Sequence, residues 1–293
     1  MRKPAFTLLE LIFVIVIIGI LSKFGIELIS QAYKNFIFSN INNELQANSE
    51  FAVETIASRL QYRIKDSVIA RELDNSYHAL AGYSDTTAPI LEWIGSDIDG
   101  FRGDSLPYWS GVIDLNLSSA NKLVSPQTDT NQTSSLISEL SYGKSSINDA
   151  AVYFVGSDSD IGMYGWGGVA LSEHTEGIIH PINAGTNPNE FISGISGKDF
   201  SGTDIYEYYQ LAWTAYAVGI SDYNATSKTG TLMLYYNYRP WKGERYTDGN
   251  SSKIMDNVST FQFRAIGSVV KIQVCVNSDL TREYSLCKEK TIY

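Results

Sequence analysis

The hydrophobic pattern of the chain changes twice. From Phe6 to Leu21 the residues are apolar almost without a break, interrupted by Thr7 and Glu10, and the run closes at Lys23. About 20 such residues cross a bilayer as a helix. Further on, apolar positions recur at Ile37, Ile41, Leu45, Ala52, Ile56 and Leu60 in steps of four and once of seven, with Asn40, Asn42, Asn43, Glu44, Gln46, Asn48, Glu50 and Glu54 between them. That spacing predicts a helix with one buried stripe and one wet face. No proline falls between Phe6 and Arg71. One helix is therefore expected to run through both patterns, with Gly19 and Gly25 as its weakest points.

Beyond the helix the apolar period shortens to two. Alternating apolar, β-branched and aromatic residues predict strands at 150–155, 168–171, 206–218, 232–238, 260–266 and 269–276. Gly267-Ser268 fits a tight hairpin between the last two. The polar stretches 118–148 and 180–204 read as long surface loops. Helix first and strands later make an α+β fold, with the amphipathic half of the helix laid on an antiparallel sheet. The expected divisions are a leader at 1–5, a transmembrane half-helix at 6–28, an amphipathic half at 29–73 and a β-rich domain at 74–293.

Charge orients the arrangement. Arg2 and Lys3 precede the apolar run, so the residues after it should face away from the cytoplasm. The chain carries a net charge of −10. An acidic surface of that kind argues against direct nucleic-acid binding through a broad basic patch.

Glu10 is the informative position, because a carboxylate at the centre of a bilayer costs roughly 3 kcal/mol on insertion scales. A secretory signal would have a shorter apolar core and a small-residue cleavage site behind it. A plain membrane anchor fits the length but gives Glu10 no purpose.

The leader Met1-Arg2-Lys3-Pro4-Ala5, followed by Phe6-Thr7-Leu8-Leu9-Glu10 and the aliphatic run, resembles the N-terminus of type IV prepilins. The resemblance implies cleavage between Ala5 and Phe6 by a prepilin peptidase and N-methylation of Phe6. Ala5 departs from the glycine most relatives carry there. It further implies that Glu10, fifth after the cut, accepts the Phe6 amine of a neighbouring subunit and sets axial register in a filament. Chain size is similar to large minor subunits, the PilW-type pilins or the J-type pseudopilins of type II secretion. Implied partners are the peptidase, other major and minor pilins or pseudopilins, and the inner membrane. The implied place is the inner membrane with a periplasmic domain, then a pilus or pseudopilus. The competing class is a membrane-anchored periplasmic binding domain or adhesin.

Cys275 and Cys287 are the only cysteines, and in an extracytoplasmic domain a disulfide is the expected state. Pilins often carry a similar C-terminal disulfide loop. His174 and His180 flank Glu176 without the spacing of a zinc helix and read as surface-loop residues. Gly143-Lys144-Ser145 lacks the earlier glycine of a phosphate loop, and no G-x-S-x-G occurs, so no enzyme is expected. No cofactor is implied beyond a weak calcium pattern at Asp97, Asp99 and Asp104 and at Asp158 and Asp160, neither with EF-hand spacing. Aromatics cluster at Tyr206, Tyr208, Tyr209, Trp213 and Tyr216 and again at Tyr235, Tyr236, Tyr238 and Trp241. Alternation along a strand sends half of them inward and leaves the others for a ligand or partner surface.

Overall fold

The computed structural model describes residues 7–83, 88–157, 160–278 and 285–293. The first element, α1 (Leu8–Leu60), is a single helix of 53 residues that passes through Gly19 and Gly25 unbroken. Ile41, Leu45, Ala52, Ile56 and Leu60 are buried and Ile37 is half-buried, so the stripe falls where the spacing puts it. Compact packing divides the chain into one unit ending at Asn48 and a second, Ser49–Tyr293. In the first unit the apolar side chains from Leu8 to Ile29 all stand exposed. Such a surface has no place in water, and α1 is long and apolar enough to cross a membrane.

The helix stops at Leu60 rather than near Arg71. The side chain of Arg63 turns back and donates from Nη1 to the Leu60 carbonyl at 2.8 Å, and Gln61 Nε2 donates to the Ser58 carbonyl at 3.2 Å. These bonds satisfy carbonyls that the helix end leaves open. The next residues are claimed by a sheet instead: the Ile64 amide donates to Ile94 O at 2.9 Å and the Ser96 amide to Tyr62 O at 2.8 Å.

The second unit holds two antiparallel sheets. The larger runs β13-β12-β11-β10-β9-β3-β1-β2 across its width. Its strands are β1 (Ile69–Arg71), β2 (Tyr77–Ala79), β3 (Ile90–Gly95), β9 (Thr214–Asn224), β10 (Thr229–Tyr238), β11 (Asn250–Ile266), β12 (Val269–Asn277) and β13 (Ser285–Ile292). The smaller has the order β4-β7-β6-β5-β8. It is made of β4 (Leu123–Val124), β5 (Ala151–Phe154), β6 (Ile179–Ala184), β7 (Glu190–Ser193) and β8 (Tyr209–Ala212). The short helix α2 (Ile98–Arg102) follows β3, and α3 (Thr130–Leu140) precedes β5.

Strands β5, β10, β11 and β12 cover the stretches where alternation predicts them, and Gly267-Ser268 makes the turn between β11 and β12 with Gly267 at φ 60°. The single strand expected at 206–218 is instead divided at Trp213 into β8 of the smaller sheet and β9 of the larger. The expected strand at 168–171 is reduced to one bridge, Ala170 to Lys242. The two expected loops contain regular structure: α3 and β4 fall in the first, and β6 and β7 in the second. Ile137 of α3 joins Trp109, Phe154, Ile182, Phe191 and Leu211 in one core, so α3 seals a face of the smaller sheet. A second core gathers Ile64, Ile69, Ile94, Trp166, Tyr238 and Trp241.

Candidate functional site

Thr7 and Glu10 form a reciprocal cap at the start of α1. The Thr7 amide donates to Glu10 Oε2 at 3.0 Å and the Thr7 hydroxyl to the same oxygen at 2.9 Å. The Glu10 amide donates back to Thr7 Oγ1 at 3.4 Å. This is the capping-box arrangement, in which a Thr and a Glu three residues later satisfy each other's free donors. Thr7-x-x-Glu10 already carries that spacing in the sequence, a signal the intermolecular role of Glu10 leaves unused. Glu10 therefore sits in the first turn of the described helix. The positive end of the helix dipole favours an anion there. Its carboxylate has local donors but no cation among the described residues within the helix start, and its side chain is exposed. Ala5 and Phe6 lie outside the described residues.

The second half of α1 meets β13 by matched periods. Lys288 pairs with Glu50 and Lys290 with Glu54. Four residues of helix and two of strand both advance about 6 to 7 Å, so the two rows of charge stay in step. Cys275 and Cys287 sit opposite each other in the β12–β13 pairing and are bonded, as their expected compartment predicts. The edge strand is thus tied covalently to its neighbour and by charge to the helix.

The acidic candidates are put to other uses. Asp97 is buried, accepts from the Gly100 amide at 3.2 Å and from Trp109 Nε1 at 3.1 Å, and caps α2. A Cβ on Gly100 would stand 2.1 Å from Asp97 Oδ2, so the tight turn requires glycine there. Burial pushes the Asp97 carboxyl up to about 6. Asp99 and Asp104 are exposed, and Asp160 caps a short turn through the Gly162 amide at 2.9 Å. Asp158 lies outside the described residues. Among the described residues no three His, Cys, Asp or Glu side chains gather as a metal site.

The histidines depart most from expectation. His174 and His180 are both buried rather than on a surface loop, with rings 5.6 Å apart, between Phe154 and Phe200. Ser193 Oγ donates to Ile195 O at 3.2 Å, which leaves it to accept from His174 Nε2 at 2.7 Å. Burial lowers His174 to about 4 and His180 to about 3, so both stay neutral.

Of the aromatic clusters, Tyr209, Trp213, Tyr238 and Trp241 are buried, while Tyr206 and Tyr208 are exposed. Tyr208 and Tyr209 reach a cleft of about 800 Å³ between the end of α1, α2, β5 and β8.

No family model matches the chain, and no curated protein or solved structure matches it.

Proposed function

We propose that the chain is a membrane-anchored filament subunit of the prepilin kind, a minor pilin or pseudopilin. Cleavage after Ala5 and N-methylation of Phe6 by a prepilin peptidase would leave the apolar half of α1 as anchor and filament core. The observation that carries the reading is Glu10: a carboxylate placed in the first turn of a helix whose apolar first half is exposed, held by Thr7 and without a countercharge among the described residues. A neighbouring subunit's Phe6 amine is a countercharge of the right sign at the right end of the helix. The β-rich domain would then lie in the periplasm or on the filament surface, where a disulfide persists.

The capping box supports a second reading, because it gives Glu10 a use inside one chain. A plain membrane-anchored periplasmic binding domain needs nothing more from it. Mass spectrometry of the N-terminal peptide, from sheared filaments and from membranes separately, decides between the two. N-methylated Phe6 in the sheared fraction marks a pilus subunit, and the same peptide confined to membranes marks a pseudopilin. An intact Met1 leader in both fractions marks the anchored domain.

A further inference from the structure

The cleft that Tyr208 borders is built for a ligand of definite character. Its volume, about 800 Å³, lies within the range of small-molecule sites. Rings of Tyr62, Phe101, Trp109, Tyr153, Tyr208 and Tyr209 line it. Phe101 packs at a tilt on Trp109, ring centres 4.9 Å apart, and Trp109 Nε1 is committed to Asp97 at 3.1 Å, so the wall is fixed before any ligand arrives. Tyr62 is held likewise, its hydroxyl accepting from Arg102 Nη2 at 2.7 Å.

Tyr208 differs from these. The residue is 58% exposed, and among the described residues its hydroxyl has no hydrogen-bond partner. Gln210, in β8 two positions beyond Tyr208, lines the same cleft and has a free amide in the same sense. Large aromatic residues left in water beside unpaired neutral donors and acceptors are the usual makings of a recognition surface.

Charge narrows the ligand. The Arg63 guanidinium is spent on backbone, donating to Leu60 O at 2.8 Å and to Ser268 O at 2.6 Å. Lys65 and Asp66 oppose each other in sign on one short turn. The lining therefore carries a formal charge of +1, and the excess charge, on the buried Arg63, is already met by backbone carbonyls rather than left open to an anion. An extended peptide would need a free strand edge, but the outer edge of β8 is already taken. The Asp97 backbone amide donates to Leu211 O at 2.7 Å, the Tyr209 amide to Gly111 O at 3.0 Å and the Ile113 amide to Glu207 O at 2.7 Å. An aliphatic ligand would bury the Gln210 amide without a partner, which is unfavourable.

A neutral saccharide meets every one of these conditions. Its ring faces are apolar C–H surfaces suited to lie on Tyr208 and Phe101, and its rim of hydroxyls suits the Gln210 amide and the Tyr208 hydroxyl. We infer that this cleft is a binding site for a neutral oligosaccharide, with Tyr208 as its stacking platform and Gln210 as its orienting amide. The inference goes beyond the filament reading and does not depend on it: an anchored domain would carry the same cleft.

The test uses the full chain in a zwitterionic detergent with no sugar head group. It is applied to an array of neutral and sialylated oligosaccharides, and the best neutral one is then titrated by calorimetry. The expected result is saturable binding of neutral glycans, weakened tenfold or more by Tyr208→Ala and by Gln210→Ala. Tyr142→Ala, also exposed but outside the cleft, should leave it unchanged. The melting temperature of each variant is measured alongside, so that a loss from unfolding in one is read against the other. No neutral glycan bound, binding indifferent to both cleft variants, or a preference for sialylated chains would overturn the inference. None of these outcomes bears on the N-terminal mass measurement.

Discussion

Thr7 donates both its amide and its hydroxyl to one carboxylate oxygen of Glu10, at 3.0 and 2.9 Å. Two functions of Glu10 therefore coincide in one side chain, capping the helix and presenting charge, and substitutions separate them. Thr7→Ala removes the cap and should cost about 1 kcal/mol of local helix stability. Filament assembly should survive it. Glu10→Gln keeps an oxygen to accept from Thr7 but loses the charge, and assembly should fail while membrane insertion persists. Glu10→Val should match Glu10→Gln in assembly and Thr7→Ala in fraying. Carbonate extraction reads insertion, and the subunit in sheared filaments reads assembly. Normal assembly by Glu10→Gln would dismiss the charge-register role and leave only the cap.

The Cys275–Cys287 bridge closes a loop with a sequence separation of 12 between paired strands. Constraint of so short a loop in the unfolded chain is worth about 3 kcal/mol in the chain-entropy view. Replacing both cysteines by serine should lower stability by about that amount in a denaturant titration. The Lys288–Glu50 and Lys290–Glu54 pairs are half-exposed and should contribute far less. If Lys288→Ala with Lys290→Ala costs more than the double serine variant, the charge ladder rather than the disulfide holds the edge strand.

Arg71, Glu92 and Tyr238 form a buried polar network joining β1, β3 and β10. Glu92 pairs with Arg71 and accepts from the Tyr238 hydroxyl at 2.9 Å, while Arg71 also donates to Trp166 O at 3.2 Å and Asn75 O at 3.1 Å. Removing one partner of a buried ion pair strands the other charge, so Arg71→Met should cost about 3 to 5 kcal/mol. Tyr238→Phe loses one bond and should cost about 1 to 2 kcal/mol. In the double variant Arg71→Met with Glu92→Met no charge is left behind, and much of the loss should return. A double variant no better than Arg71→Met would show that the network is needed for packing rather than for charge balance.

How much of this was legible in the sequence follows from how each element earns its burial. The stripe from Ile41 to Leu60 and the run from β9 to β12 announce themselves because their apolar positions recur with the element's own period. α3 does not, because Thr130 and Thr133 are buried through hydrogen bonds rather than through apolar side chains. Thr133 Oγ1 donates to Asp129 O at 2.9 Å, and the Asp129 carboxylate caps the helix through the Asn131 amide at 2.9 Å. β6 is hidden by Pro181, which argues against an interior strand. It is tolerated because pairing passes from β5 to β7 between Pro181 and Ile182. His180 in that strand is polar in composition and core in fact. The cleft draws on five separate chain segments, and no local pattern brings Tyr62, Phe101 and Tyr208 together.

The buried histidines and Asp97 give the fold an acid dependence with opposing signs. His174 and His180 titrate at about 4 and about 3 when folded, against about 6.5 in an unfolded chain. Between those values the unfolded chain binds more protons, so stability falls as pH drops from 6.5 towards 3. The Asp199 and Glu173 carboxylates near His174 soften the effect without reversing it. Asp97 works the other way: at about 6 when folded against about 3.9 unfolded, it favours the folded state below pH 4 and loses that advantage as pH rises towards 6. Two histidines outweigh one aspartate, and the wild-type melting temperature should fall as pH is lowered from 7 to 4. Replacing His180 with Phe should flatten that slope, and Asp97→Asn should steepen it. Parallel slopes for the wild type and both variants would mean that other groups govern the acid response.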